Sequence, residues 1–154
     1  MEQKRKGIKR HEALYPLSHH HHHALFLALK LRRAGTDKSK LTTMEIKNEL
    51  IQFWDNGGQE HFREEEEVLL PSYALHHGSI NQPEIIEMLL EHVNIRALIQ
   101  KIKQMDSDLE PVLQQLGNML EAHIRKEERI LFPMIEKALP EEALEALAPY
   151  LHKL

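Results

Sequence analysis

An eleven-residue segment occurs twice in this 154-residue chain, and that duplication limits the fold more than any other feature of the sequence. The first copy is His61-Phe62-Arg63-Glu64-Glu65-Glu66-Glu67-Val68-Leu69-Leu70-Pro71. The second is His123-Ile124-Arg125-Lys126-Glu127-Glu128-Arg129-Ile130-Leu131-Phe132-Pro133. At a constant offset of 62 residues the copies share His, Arg, Glu, Glu, Leu and Pro, and Val68/Ile130 and Leu70/Phe132 are conservative pairs. Two copies of one helical unit are what a pseudo-twofold bundle needs.

The rest of the chain follows the same period. Apolar residues recur at helical spacing, and no stretch alternates apolar and polar residues in the manner of a strand. Pro16 and Ser18 open a predicted helix at about 17–34, followed by a polar loop from Gly35 to Lys40. Thr42 or Thr43, with Glu45 in the first turn, starts a second at about 42–75. Asn56-Gly57-Gly58 interrupts it, as a kink or bulge rather than a stop. Pro83 opens a third helix at about 83–105. Asp106-Ser107-Asp108 turns the chain into a fourth at about 109–138, and Pro140 precedes a short one at about 141–148. Four long helices on short loops predict an all-α fold: an up-down-up-down antiparallel four-helix bundle with a short C-terminal helix, one domain over residues 1–154.

Composition narrows the chemistry. The net charge of −4 argues against nucleic acid as the main partner. Without cysteine there is no disulfide, thiolate metal site or Cys nucleophile. No apolar segment follows the basic stretch Met1 to Lys6, and none has the length of a membrane span, so a cytoplasmic protein without a membrane partner is expected. Twelve histidines are the anomaly, since imidazole is the commonest metal ligand and titrates near neutral pH. Five form the run His19 to His23, set between Leu17-Ser18 and Ala24-Leu25-Phe26-Leu27 and so read as part of the first helix rather than an appended tag.

In each repeat His and Glu are four residues apart, on one face of a helix one turn from each other. With twelve His and twenty Glu, about 1.6 such pairs would arise by chance, so the weight rests on the duplicated context. His61, Glu65, His123 and Glu127 are therefore candidate metal ligands. His92 falls among Leu89, Ile95 and Ile99 and joins them from the third helix. On the first helix, His22 precedes Leu25 and Leu29 by the intervals at which His92 precedes Ile95 and Ile99, which favours His22. His21, four after Leu17 and seven before Ala28, is its rival. Unpaired carboxylates inside a bundle cost several kcal/mol, so two Glu and four His belong there together only around cations. Nitrogen and oxygen donors without sulfur suit iron, manganese or zinc. Two bridging Glu and four His supply eight contacts where two octahedral ions take about ten to twelve, leaving room for water, hydroxide or a small ligand.

The other polar residues read as surface. His19, His20 and His23 fall to the solvated helix face, and His11, His76, His77 and His152 to loops and termini. Glu64, Glu66, Glu67 and Glu128 form a solvated face, with contacts to ligand histidines left open. Phe53, Trp54, Phe62 and Phe132 read as core.

The sequence resembles the hemerythrin-like, His-His-Glu cation-binding family. The resemblance spans roughly residues 12 to 148 and rests on Leu17-Ser18 with His21-His22, His61…Glu65, Glu91-His92…Ile95-Arg96, and His123…Glu127 with Leu131-Phe132-Pro133. It implies a four-helix bundle around two non-haem iron ions with an oxo or hydroxo bridge. His22 (or His21), His61, His92 and His123 would be terminal ligands, with Glu65 and Glu127 bridging. The oxygen carriers of that family have an additional His on the third helix and a bridging Asp on the fourth. Here Arg96 stands four after His92, and the fourth helix offers Glu127. The expectation therefore moves from reversible O2 carriage to binding or sensing O2, peroxide or NO, or to iron handling. A di-iron enzyme acting on peroxide or NO is one alternative, and a helical interaction module without functional metal is another. The Asn56-Gly57-Gly58 interruption is expected to open access beside His61.

Overall fold

The computed structural model describes residues 9–151. The basic stretch Met1 to Lys6 and His152 lie outside the described residues. The regular structure is all helical, with no strand among the described residues. It comprises α1 (Tyr15–Arg33), α2 (Thr43–Phe53), α3 (Gln59–Glu64), α4 (Leu70–His77), α5 (Pro83–Lys103), α6 (Leu109–Lys126), α7 (Phe132–Ala138) and α8 (Glu141–Leu147). No helix among the described residues is long and apolar enough to cross a membrane.

Local chemistry accounts for the ends. Thr42 and Glu45 make a full capping box at α2: Glu45 N donates to Thr42 Oγ1 at 3.1 Å, and Thr42 N donates to Glu45 Oε1 at 2.8 Å. Pro16 and Pro83 sit in the first turns of α1 and α5, where a missing N–H costs nothing. Lys30, Arg32 and Arg33 complement the C-terminal dipole of α1.

Three π-helical turns, Trp54–Gly58, Glu65–Leu69 and Glu127–Leu131, join α2 to α3, α3 to α4 and α6 to α7. The first is the kink expected at Asn56-Gly57-Gly58, with Gly57 departing from helical angles at φ 169°, ψ −32°. The other two fall at corresponding places of the repeat. Leu70 N donates to Glu65 O, and Phe132 N to Glu127 O. Pro71 and Pro133 explain them. Each proline lacks the N–H its helix would use, and its ring crowds the carbonyl four residues back, so the turn before it widens.

The apolar core is split in two. One cluster gathers Ala24, Leu31, Leu50, Phe62, Ile95 and Leu116. The other gathers Leu14, Leu17, Leu69, Tyr73, Met88 and Phe132. Along α1 and α5 the second cluster comes first, and along α2–α4 and α6–α7 it comes last. Between the clusters, every one of these segments carries buried polar residues.

The α1–α6 packing is close because Gly117 lets it be. A Cβ there would stand 2.8 Å from Arg32 N and 2.9 Å from Ala28 O. Alanine is the better helix former by about 1 kcal/mol, yet backbone cannot move aside as a side chain can. Gly117→Ala is expected to lower unfolding free energy by about 1–2 kcal/mol, read by urea denaturation. An unchanged or raised midpoint would show that the helices are not in this contact.

Candidate metal centre

Six side chains converge between the two apolar clusters. They fall into two groups of four, His21, His61, Glu65 and Glu127, and Glu65, His92, His123 and Glu127, with the donor atoms of each group within 4.8 Å of one another. Glu65 and Glu127 belong to both. They are 0% and 1% exposed.

His61 Nε2 lies 2.8 Å from Glu65 Oε2, and His123 Nε2 lies 2.9 Å from Glu127 Oε2, the four-residue spacing in three dimensions. The groups also cross. His21 Nε2 is 3.0 Å from Glu127 Oε1, and His92 Nε2 is 3.1 Å from Glu65 Oε1. His61 Nε2 and His21 Nε2 are 3.1 Å apart. Distances this short usually mean hydrogen bonds, yet neither oxygen of Glu65, neither oxygen of Glu127, nor His92 Nε2 has a partner in bonding geometry. These carboxylate oxygens and imidazole nitrogens crowd into one buried space without pairing. Buried carboxylates cost several kcal/mol without compensation, so this orphaned set fits cations.

Three of the four imidazoles are held from behind. Glu66 accepts from His92 Nδ1 at 2.6 Å, Glu91 from His123 Nδ1 at 2.7 Å, and Glu128 from His21 Nδ1 at 2.7 Å. A carboxylate on Nδ1 fixes the ring and leaves Nε2 as the ligating atom. Each carboxylate has its own cation: Arg96 on Glu66 at 2.9 Å, Arg10 on Glu128 at 3.0 Å, and Lys126 on Glu91. Ser18 also donates to Glu128, at 2.7 Å. His61 is the exception, because its buried Nδ1 has no partner.

The internal symmetry shows why. His21 on α1 and His92 on α5 are 71 residues apart, and at that offset Leu17 matches Met88, Ala24 matches Ile95 and Leu31 matches Ile102, all buried. Glu91, which holds His123, corresponds to His20. His20 stacks face to face on His61, with ring centroids 4.8 Å apart, and the Nδ1 atoms of both rings are left without a partner. Burial first, then His61 and the other neighbouring imidazoles, push His20 down to about 3, so its ring is neutral.

The sequence reading needs correction on α1. His22 is exposed and outside the cluster, and His21 is the residue inside it. The inward face is marked by Ala24 and Ala28, which are buried, and not by Leu25 and Leu29, which are half-buried. Close packing against α6 selects small residues, which a search for bulky apolar ones overlooks. His20, expected in solvent, is 5% exposed, covered by Phe53 at 5.1 Å between centroids. Glu64 is buried as well, and Glu66 and Glu128 are half-buried, so only Glu67 of that face is exposed. Glu91, which the sequence shows only as the neighbour of His92, holds His123 instead, and the 71-residue offset is the signal that could have shown it.

Burial disfavours the charged rings, but the carboxylates outweigh it. His92 is pushed up to about 11, and His21 and His123 to about 9. Despite burial, His123 and its neighbours hold Glu127 well below the usual carboxylate range. Metal-free protein should therefore depend on pH in a defined sense. Folded values above the ordinary 6.5 stabilise in full below about pH 6.5 and lose their contribution as pH rises through about 9. The melting temperature of chelator-treated protein is expected to fall by at least about 5 °C between pH 6.5 and 10. A flat profile would contradict these pairings.

Residues 14–147 match the family model described as hemerythrin HHE cation binding domain. No curated protein and no solved structure matches the chain.

Proposed function

Because the chain belongs to the hemerythrin HHE cation-binding domain family, we propose that it is a non-haem di-iron protein whose centre binds or senses O2 or a related small ligand, or handles iron. The observation that carries this reading is the set of four buried carboxylate oxygens, on Glu65 and Glu127, that lack hydrogen-bond partners. His21 and His61 would hold one ion, His92 and His123 the other, and the two glutamates would bridge them. Bound iron would supply open coordination positions and redox chemistry. The chain's own residues fix the rings through Glu66, Glu91 and Glu128 and exclude water with Phe62, which stacks on His92 at 3.8 Å between centroids. The alternating order of the two apolar clusters along successive helices supports the up-down-up-down four-helix arrangement. Iron-replete protein is expected to carry two irons per chain, with optical bands of a bridged pair in air. Less than one metal per chain would overturn the reading.

A second reading, a di-iron enzyme consuming peroxide or NO, is favoured by the cavity lined by His20, Phe53, Gly58 and His61 that adjoins the cluster. Turnover no faster than free iron in a steady-state assay would dismiss it.

A further inference from the structure

Four members of the five-histidine run lie outside the centre, and their placement is not random. His19, His22 and His23 are exposed, and His20 is buried one turn from His23. The rings form a ladder from solvent to the cluster. His19 and His23 are 5.6 Å apart between centroids, His23 and His20 6.4 Å, His20 and His61 4.8 Å, and His61 and His21 4.8 Å.

The ladder starts at an open pocket and ends at a small cavity. An open pocket of about 580 Å³ is lined by His20, His23, Glu49, Gln52, Phe53 and Asn56. The cavity behind it, about 20 Å³, is lined by His20, Phe53, His21 and His61 among others. His20 and Phe53 are common to both and form the partition. Gly58, on the second cavity, sits so close to Phe53 that an added Cβ would stand 2.8 Å from its ring, so the π turn at Trp54–Gly58 lets this ring lie directly against backbone. At the inner end stands His61, the one cluster imidazole whose Nδ1 no carboxylate holds. His20, with its buried Nδ1 unpartnered, is the donor between the mouth and that ring.

We propose that His19, His23 and His20 form a loading path that captures a divalent first-row transition-metal ion at the surface and passes it to His61 and His21. The path rests on the dinuclear-centre reading and adds to it the side from which the centre is filled. Imidazoles one turn apart on a helix chelate borderline ions such as cobalt(II), iron(II) or zinc and leave magnesium and calcium in water. Glu49, on the rim and paired with Lys30 at 2.7 Å, adds a carboxylate to the mouth. No bond is made or broken beyond ligand exchange. The ion trades water for imidazole at the mouth and that imidazole for the next.

The test uses cobalt(II) with chelator-stripped, full-length protein, following the visible cobalt band after rapid mixing. His19→Gln combined with His23→Gln removes two exposed rings. His20→Phe keeps the stacking on Phe53 and removes the nitrogens. Both variants are expected to reach the wild-type final band with two ions per chain, but about tenfold or more slowly, the scale on which a local capture site raises an on-rate. Calorimetry on loaded wild type is expected to show one further, weaker ion that the surface variant lacks. Equal loading rates in wild type and the surface variant would overturn the path and leave the centre standing. A surface variant that loses the final band would overturn it too, by making its rings ligands of the centre. Wild type that develops no cobalt band would overturn both readings.

Discussion

Replacing either Glu65 or Glu127 by alanine is expected to abolish the bridged two-metal spectrum and to weaken binding at both ion positions by more than about a hundredfold, exceeding what loss of a ring-orienting contact costs. The reason is shared membership. Each glutamate lies in both donor groups, so one truncation would take an oxygen from each of the two proposed ions. Glu67→Ala is the control, because Glu67 is exposed two residues along the same helix and is expected to change neither stoichiometry nor spectrum. Glu66→Ala falls between. It frees His92 Nδ1 and leaves every proposed ligand in place, so about 10–100-fold weaker binding with two ions still bound at saturation is expected. Metal titrations followed by absorption separate the three results. Identical behaviour of the Glu65, Glu66 and Glu67 variants would mean that their helix is rotated from the face described.

Removing metal is expected to lower the melting temperature by about 15 °C or more. A ligand held at a thousand times its dissociation constant contributes about 4 kcal/mol, and two ions contribute twice that. In a chain of this size each kcal/mol moves the midpoint by about 2–4 °C. The structure gives the effect its sign. Without ions, two carboxylates at most 1% exposed depend on protonated imidazoles for neutralisation, an arrangement that weakens with rising pH. Calorimetric scans of iron-loaded and chelator-treated protein at pH 7.5 are the check. Coincident midpoints would favour a helical interaction module in which these histidines are incidental.

Much of the helical frame is readable from local chemistry. Thr42 with Glu45, the prolines at 16 and 83, and Asn56-Gly57-Gly58 act within one or two turns, where caps and missing donors have their effect. Buried character was less readable where it depended on a distant partner. His20 reads as a surface residue until Phe53 and His61, from a different helix, close over it. Glu66 and Glu128 read as solvated until His92 and His21 approach from α5 and α1. The π turns at Glu65 and Glu127 had a sequence signal in Pro71 and Pro133, but periodicity at 3.6 residues is blind to one widened turn.

By itself the sequence determined the helical class, the duplicated His-x-x-x-Glu unit and the absence of sulfur ligands, since each follows from residue type and short-range spacing. Only the tertiary structure decided which of the adjacent histidines 21 and 22 turns inward, which carboxylates stand behind which rings, and that His61 is left unheld. One residue on α1 is a rotation of about 100°, and the depth to which that helix approaches α6 across Gly117 chooses between neighbours.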